Sequence, residues 1–165
     1  MVKIIPITPN FAVAGALQAG DFAQLAAAGF KSILSNLPEG ESVAHLTAAE
    51  EARLAEQAGL GFRHVPATKH DALSERVVEE MSEALSALRA PVLAHCASGL
   101  RSAVAWAAAA VRGQPVDCVL ARLSAAGFDL AGIRDQLQDE HDPGHVTPIP
   151  AALFADCASL RRPKV

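Results

Sequence analysis

The chain is poor in cysteine, with three in 165 residues. That excludes a disulfide scaffold of the kind that holds small secreted domains together. Cys96, Cys118 and Cys157 make no even framework, and no pair of them has metal-ligand spacing. Basic clusters are equally scarce. Fourteen Lys and Arg stand against eighteen Asp and Glu, a net charge of −4, and the one local concentration is Arg161-Arg162-Pro163-Lys164. No nucleic-acid footprint is present, so nucleic acid is not expected as a partner. The longest unbroken apolar run, residues 103–111, falls far short of the ~20 residues of a membrane span. Met1-Val2-Lys3-Ile4-Ile5-Pro6 carries no signal-peptide core. A cytoplasmic location without a membrane partner is the expectation.

What is present is the composition of a folded domain, 51% hydrophobic and 19% charged. Apolar runs bounded by turn residues alternate with helical patterns, which predicts an α/β fold with a mostly parallel sheet of four to five strands flanked by helices. Strands are expected at residues 2–5, 11–14, 30–34, 61–65 and 92–95, with Gly29 and Gly59 closing helices before two of them. Asp21 is expected to cap a first helix. Thr47 and Glu50 form a Thr-x-x-Glu capping box for a second. Val77, Val78, Met81, Leu85 and Leu88 recur at helical spacing and define the sheet-facing side of a third, residues 74–88. Residues 102–111 are apolar all round, so that helix is expected to be central and buried. Pro115 suits the first turn of another helix, and Leu130, Ile133 and Leu137 mark a last amphipathic stretch. The expected organisation is a domain over residues 1–140 and an appendage over 141–165. His141 and His145 in that appendage lack a third ligand and read as a surface loop rather than a zinc site.

The chemistry concentrates in His95-Cys96-Ala97-Ser98-Gly99-Leu100-Arg101-Ser102, a short loop between a buried strand and a helix. A cysteine just before a helix N-terminus faces unpaired N–H groups and the positive end of the helix dipole, which favours a thiolate titrating at ~3.5–7.5. Gly99 is free to take a positive φ and turn the amides of Ala97, Ser98, Gly99 and Leu100 inward as a nest for an anion. Arg101 supplies a planar fork of donors for two oxyanion oxygens, and Ser102 stands where its hydroxyl could steady the sulfur. The plainer alternative is an inert core thiol. Cys118 and Cys157 sit in apolar helical stretches with no cation beside them and are expected to be core or surface thiols.

The same residues resemble the signature loop of cysteine-dependent tyrosine and dual-specificity phosphatases, shortened by one residue. Pro9-Asn10-Phe11-Ala12-Val13-Ala14-Gly15, the stretch from Asp21-Phe22 to Asn36-Leu37, and the motifs Asn36-Leu37-Pro38-Glu39-Gly40-Glu41 and His64-Val65-Pro66 extend the likeness. The chain is similar over about residues 1–138 to the phosphatase-like domain of the β-lactamase hydrolase-like proteins. It departs from that family's usual pattern at Leu37, Glu39 and Ala97, which thins the positive charge near the pocket.

The resemblance implies a dual-specificity-phosphatase-like fold and hydrolysis of a phosphate ester. Cys96 would be the nucleophile, Arg101 and the loop amides the phosphate cradle, and no metal or cofactor would be needed. The substrate is expected to be a small anionic or phosphorylated molecule. Asp71, 25 residues before Cys96, is the candidate general acid, with His70 and Glu39 behind it, although an Asp there would also suit a helix cap. Strand alternation turns His95 away from Cys96, as an organiser of the loop rather than a base. Two alternatives stand beside this reading. A six-residue Cys-x4-Arg loop is also that of rhodanese-type sulfurtransferases, which carry a persulfide on the cysteine, although the 64 residues after Arg101 exceed what such a domain has. A non-catalytic anion-binding or partner-binding module is the other.

Overall fold

A computed structural model describes residues 2–140 and 149–154. Five strands, β1 (Ile5–Thr8), β2 (Phe11–Ala14), β3 (Ser32–Ser35), β4 (Gly61–His64) and β5 (Val92–His95), form one sheet in the order β1-β2-β5-β3-β4. β1 and β2 pair antiparallel and every other pair is parallel. The helices are α1 (Asp21–Ala27), α2 (Ala48–Gln57), α3 (Glu75–Ala87), α4 (Leu100–Ala110), α5 (Val116–Ala125) and α6 (Arg134–Glu140), with 3-10 turns at Ala131–Ile133 and Ala151–Leu153. This is the α/β class expected from the alternating pattern.

Strand alternation splits the core into two layers, as the side-chain period of two requires. Ala12, Ala14, Ile33 and Leu93 meet Phe22 and Leu25 of α1 and Ala55 of α2 on one face. Phe11, Val13, Leu34, Val92 and Ala94 meet α3, α4 and α5 on the other. Both faces are covered, so β2, β3 and β5 are buried at every position rather than at alternate ones. Trp106 of α4 is fully buried and stacks on Phe11 with ring centroids 5.7 Å apart.

The capping box at Thr47 forms as expected, with Thr47 N–H donating to Glu50 Oε2 at 2.8 Å and Glu50 N–H to Thr47 Oγ1 at 3.1 Å. Ser74 caps α3 by accepting from Val77 N–H. Three expectations are corrected. β1 lies three residues later than residues 2–5, because its hairpin with β2 fixes the pairs Ile5↔Val13 and Pro6↔Ala12, and Pro6 is tolerated there on an edge strand. Gly20, not Asp21, is the N-cap of α1, and the Asp21 carboxylate instead accepts from Gln18 N–H at 2.8 Å and Val2 N–H at 3.3 Å. Cys118 of α5 is disulfide-bonded, since an odd count excludes an even framework but not a single bridge.

The described part of the segment after residue 140 packs on the domain. Ile149 and Leu153 are buried, Trp106 Nε1–H donates to Leu153 O at 3.2 Å, and Asn10 Nδ2 donates to Ala152 O at 3.0 Å. His141, His145, Cys157 and residues 161–164 lie outside the described residues. No helix among the described residues is long and apolar enough to cross a membrane.

Candidate active site

The parallel strands β2, β5 and β3 end side by side, His95 pairing in register with Ala14 and Ser35. Their carboxyl ends therefore open onto one crevice, where ligands of open α/β sheets bind. The chain leaves β5 into Cys96, whose N–H still reaches Ala14 O at 3.3 Å, then turns and enters α4. Gly99 makes the turn with φ of 92°, a left-handed conformation that other residues resist. Gly15 allows the same loop to approach β2, for a Cβ there would stand 3.1 Å from Ala97 O.

Cys96 is fully buried at the base of this loop, and Gly99 N–H donates to its sulfur at 3.1 Å. The first turn of α4 leaves the N–H groups of Leu100, Arg101 and Ser102 without intrahelical carbonyls, and Leu100 N–H reaches Ser98 Oγ at 3.5 Å. Ala97 and Ser98 are exposed at the mouth.

Arg101 closes the bowl. Its guanidinium meets Glu41 as a two-bonded pair, Nη1 to Oε2 at 2.7 Å and Nη2 to Oε1 at 2.5 Å, and Nη1 also donates to Ala67 O at 2.9 Å. Hydrogen bonding to Glu41, with a further contribution from the Cys96 sulfur, raises the Arg101 pKa above its ordinary value. The same pair pulls Glu41 below the usual carboxylate range.

Ser102 does not meet the sulfur as expected. Its hydroxyl donates instead to Asn36 Oδ1 at 2.7 Å, and Asn36 Nδ2 donates on to Val65 O at 2.8 Å and Met81 Sδ at 3.3 Å. The reason is topological: the chain past β3 places a fully buried amide beside the first turn of α4, so the hydroxyl satisfies that amide. His95 faces α2, where Nε2 lies 2.7 Å from Glu51 Oε1 with the two side chains 0% and 2% exposed. The distance is that of a hydrogen bond and the alignment is not.

Asp71 lies on the loop between β4 and α3, where its Oδ1 accepts from Thr68 N–H at 2.6 Å and Oδ2 pairs with Arg76 at 3.1 Å. Partial burial pushes its pKa up, but the bonds from Thr68 and Arg76 outweigh this and leave it below its ordinary value. It closes the loop rather than capping α3, which Ser74 does. Glu39 accepts from Ala48 N–H at 2.7 Å, at the start of α2, and His70 is exposed. Glu41, Asn36 and Glu51 are the site residues that local sequence pattern did not single out. The only signal for the first two was their place at the ends of Asn36-Leu37-Pro38-Glu39-Gly40-Glu41. Among the described residues no cluster of His, Cys, Asp and Glu could hold a metal ion.

Residues 3–113 match the family model for the phosphatase-like domain of the β-lactamase hydrolase-like protein. A β-lactamase hydrolase-like protein of Xylella fastidiosa is 30% identical over 131 residues, covering 78% of this chain and 30% of the relative. One from Agrobacterium fabrum is 29% identical over 101 residues, covering 61% of this chain and 23% of its own length. The chain thus spans a third or less of the curated relatives it matches. Among solved structures, a Neisseria meningitidis protein provisionally described as a phosphatase is 32% identical, with a TM-score of 0.71 over 83% of this chain and 97% of that one. The kinase associated phosphatase, solved with its catalytic-site cysteine changed to serine, shares the fold at 16% identity and a TM-score of 0.64, covering 88% and 97% of the two chains. Matched by the family model over residues 3–113, the chain belongs to the phosphatase-like domain family of the β-lactamase hydrolase-like proteins.

Proposed function

We propose that this domain hydrolyses a phosphate ester through a phosphocysteine. Cys96 attacks phosphorus as the thiolate, the P–S bond forms, and the P–O bond to the leaving group breaks with its electron pair. The oxygens of the transferring group are held by the loop amides of Ala97, Ser98, Gly99 and Leu100 and by Arg101. Water then cleaves the P–S bond and releases inorganic phosphate. Ser102 serves this step through Asn36, which ties the first turn of α4 to the end of β3. His95, buried and turned away from Cys96, organises the loop from the end of β5 rather than acting as a base. Asp71 is the carboxyl proposed to protonate the leaving oxygen, and to do so it must leave Arg76 and take up a proton.

The observation that carries the reading is a buried Cys96 sulfur that accepts from the Gly99 N–H ahead of α4, with the Arg101 guanidinium of the same loop fixed by Glu41 and Ala67 O. An inert core thiol needs neither. The test is turnover of p-nitrophenyl phosphate, expected in the wild type and lost in Cys96→Ser and Arg101→Ala. Asp71→Asn is expected to slow an alkyl phosphate more than this aryl one, whose leaving group needs less protonation. A wild type inactive from about pH 5 to 8 rejects phosphoryl transfer.

One observation favours a second reading. The loop holds four residues between Cys96 and Arg101, a ring with fewer amides for a phosphate, and Gly99 N–H already reaches the sulfur at 3.1 Å. A persulfide fits such a ring. Cys96 would attack the outer sulfur of thiosulfate, sulfite would leave with the electron pair, and cyanide would remove the sulfur as thiocyanate. Assaying phosphate and thiocyanate side by side on wild type and Cys96→Ser separates the two.

A further inference from the structure

Among the described residues, two large hydrophobic side chains are left exposed: Val43 entirely and Leu100 at 45%. Isolated apolar side chains on a surface need no explanation, but these two belong to the same site. Leu100 lies in the Cys96 loop immediately before Arg101, and Val43 follows Glu41 by two residues. The bonds from Arg101 to Glu41, at 2.7 and 2.5 Å, therefore bring the two segments together at the crevice. Leu100 is the first residue of α4, and every Cα–Cβ bond of a helix tilts toward the N-terminus. At the tip of α4 that direction is toward the mouth of the bowl, where Ala97 and Ser98 are also exposed.

The charges around this mouth are nearly balanced. Ala97, Ser98 and Leu100 add no cation to Arg101, and Arg101 is itself paired with Glu41. On the loop after β4 and the start of α3, Arg76 is held by Asp71 and Glu80. Lys69 is exposed on that loop, set against the carboxylates of Glu39, Glu41 and Asp71. One anionic group is provided for at the base of the loop. A second on the same molecule would meet more carboxylate than cation.

We propose that the Cys96 site takes a single phosphoryl group carried on an apolar group, and that Leu100, assisted by Val43, is the specificity-determining residue that seats the apolar part. The proposal rests on the reading of the Cys96 loop as a phosphoryl-transfer site. Leu100 then has two separate uses: its N–H belongs to the anion cradle, and its side chain meets what the phosphoryl group is attached to. Covering that side chain with an apolar group removes both surfaces from water, so affinity rises with each methylene until the exposed part of Leu100 is covered. The phosphoryl group sets the position, and the apolar contact sets the choice of substrate. Molecules with several anionic groups are disfavoured at the rim rather than at the sulfur.

The experiment is calorimetry with phosphonates, whose tetrahedral head is carried on a C–P bond and is not hydrolysed as an ester. Hexylphosphonate is expected to bind the wild type ~10-fold more tightly than methylphosphonate, far less than complete burial of five methylenes would give, because one half-exposed side chain covers only part of the chain. Methylenediphosphonate, with two anionic heads, is expected to bind no more tightly than methylphosphonate. In Leu100→Ser the hexyl-to-methyl ratio is expected to fall to ~2–3-fold, in Leu100→Met to stay near wild type, and in Val43→Ser to fall by less. Reading the ratio separates a lost apolar contact from a disturbed cradle, which would weaken both ligands alike. Equal binding of the two phosphonates by the wild type, a ratio that survives in Leu100→Ser or drops as far in Leu100→Met, or tighter binding of the diphosphonate overturns the proposal and leaves the anion site standing. If methylphosphonate and inorganic phosphate both fail to bind the wild type, or bind Arg101→Ala equally well, the phosphoryl site itself is wrong and the specificity falls with it.

Discussion

Asn36 offers the sharpest quantitative test of how the bowl is supported. Its side chain is fully buried and makes three contacts: Ser102 Oγ–H to Oδ1 at 2.7 Å, and Nδ2–H to Val65 O at 2.8 Å and Met81 Sδ at 3.3 Å. Truncation in Asn36→Ala strands the Ser102 hydroxyl and the Val65 carbonyl without partners. Each buried orphan costs ~1–3 kcal/mol, and the sulfur contact and the small void add less, so a loss of about 3–5 kcal/mol is expected. Ser102→Ala strands only Asn36 Oδ1, and about 1–2 kcal/mol follows by the same count. In the double variant neither the Ser102 hydroxyl nor Asn36 Oδ1 is left as an orphan, so the sum of the singles should exceed the double by ~2–4 kcal/mol. The chain has one tryptophan and no tyrosine, and Trp106 is buried against Phe11, so urea unfolding followed by its fluorescence reads the transition directly. Asn36→Ala within ~1 kcal/mol of wild type at unchanged m-value, or additive singles, would refute the reasoning.

Two further outcomes are expected. Gly99→Ala should destabilise the fold by ~1–2 kcal/mol and slow any Cys96-dependent turnover, because φ of 92° is strained for alanine although its Cβ would meet Ala14 O at an ordinary 3.5 Å. An alanine variant as stable as wild type in urea would mean that the positive φ is not kept in solution. Glu41 and Asp71 are depressed from 4.5 and 3.8 respectively, so what they contribute is fully present above those values and lost as pH falls through their lower folded pKa values. Melting temperature should therefore decline on acidification below about pH 4.5, and less steeply in Asp71→Asn. Equal declines in wild type and variant would show that the Thr68 and Arg76 contacts of Asp71 do not form.

The legible parts of this molecule are those written in neighbouring residues. The capping box of Thr47 and Glu50 spans one helical turn, the Met81 face of α3 spans about three, and the passage from β5 to α4 through Cys96 and Gly99 is one contiguous string. What escaped was set by distance along the chain. Glu41 and Arg101 are 60 residues apart and Asn36 and Ser102 are 66, so no local spacing could join them. Ser102 was visible as a hydroxyl beside the loop, but which acceptor it would choose depended on where β3 delivers Asn36. Asp71 was visible as an acid on a loop, yet its engagement with Arg76 becomes apparent only when α3 is in place. The offset of β1 arose because apolar residues precede the hairpin that fixes its register.

The alanines of α4 have a consequence for how this chemistry is adjusted. Ala103, Ala105 and Ala107 through Ala110 are all fully enclosed, so the backbone of α4 lies about as close to its neighbours as a side-chain-bearing helix can. The rod behaves as a shim of one-methyl thickness. Enlarging any of these residues would push the whole rod outward and carry the amides at its tip away from the sulfur. Reactivity could thus be tuned from the rear of the domain, by volume alone, with every polar group left untouched.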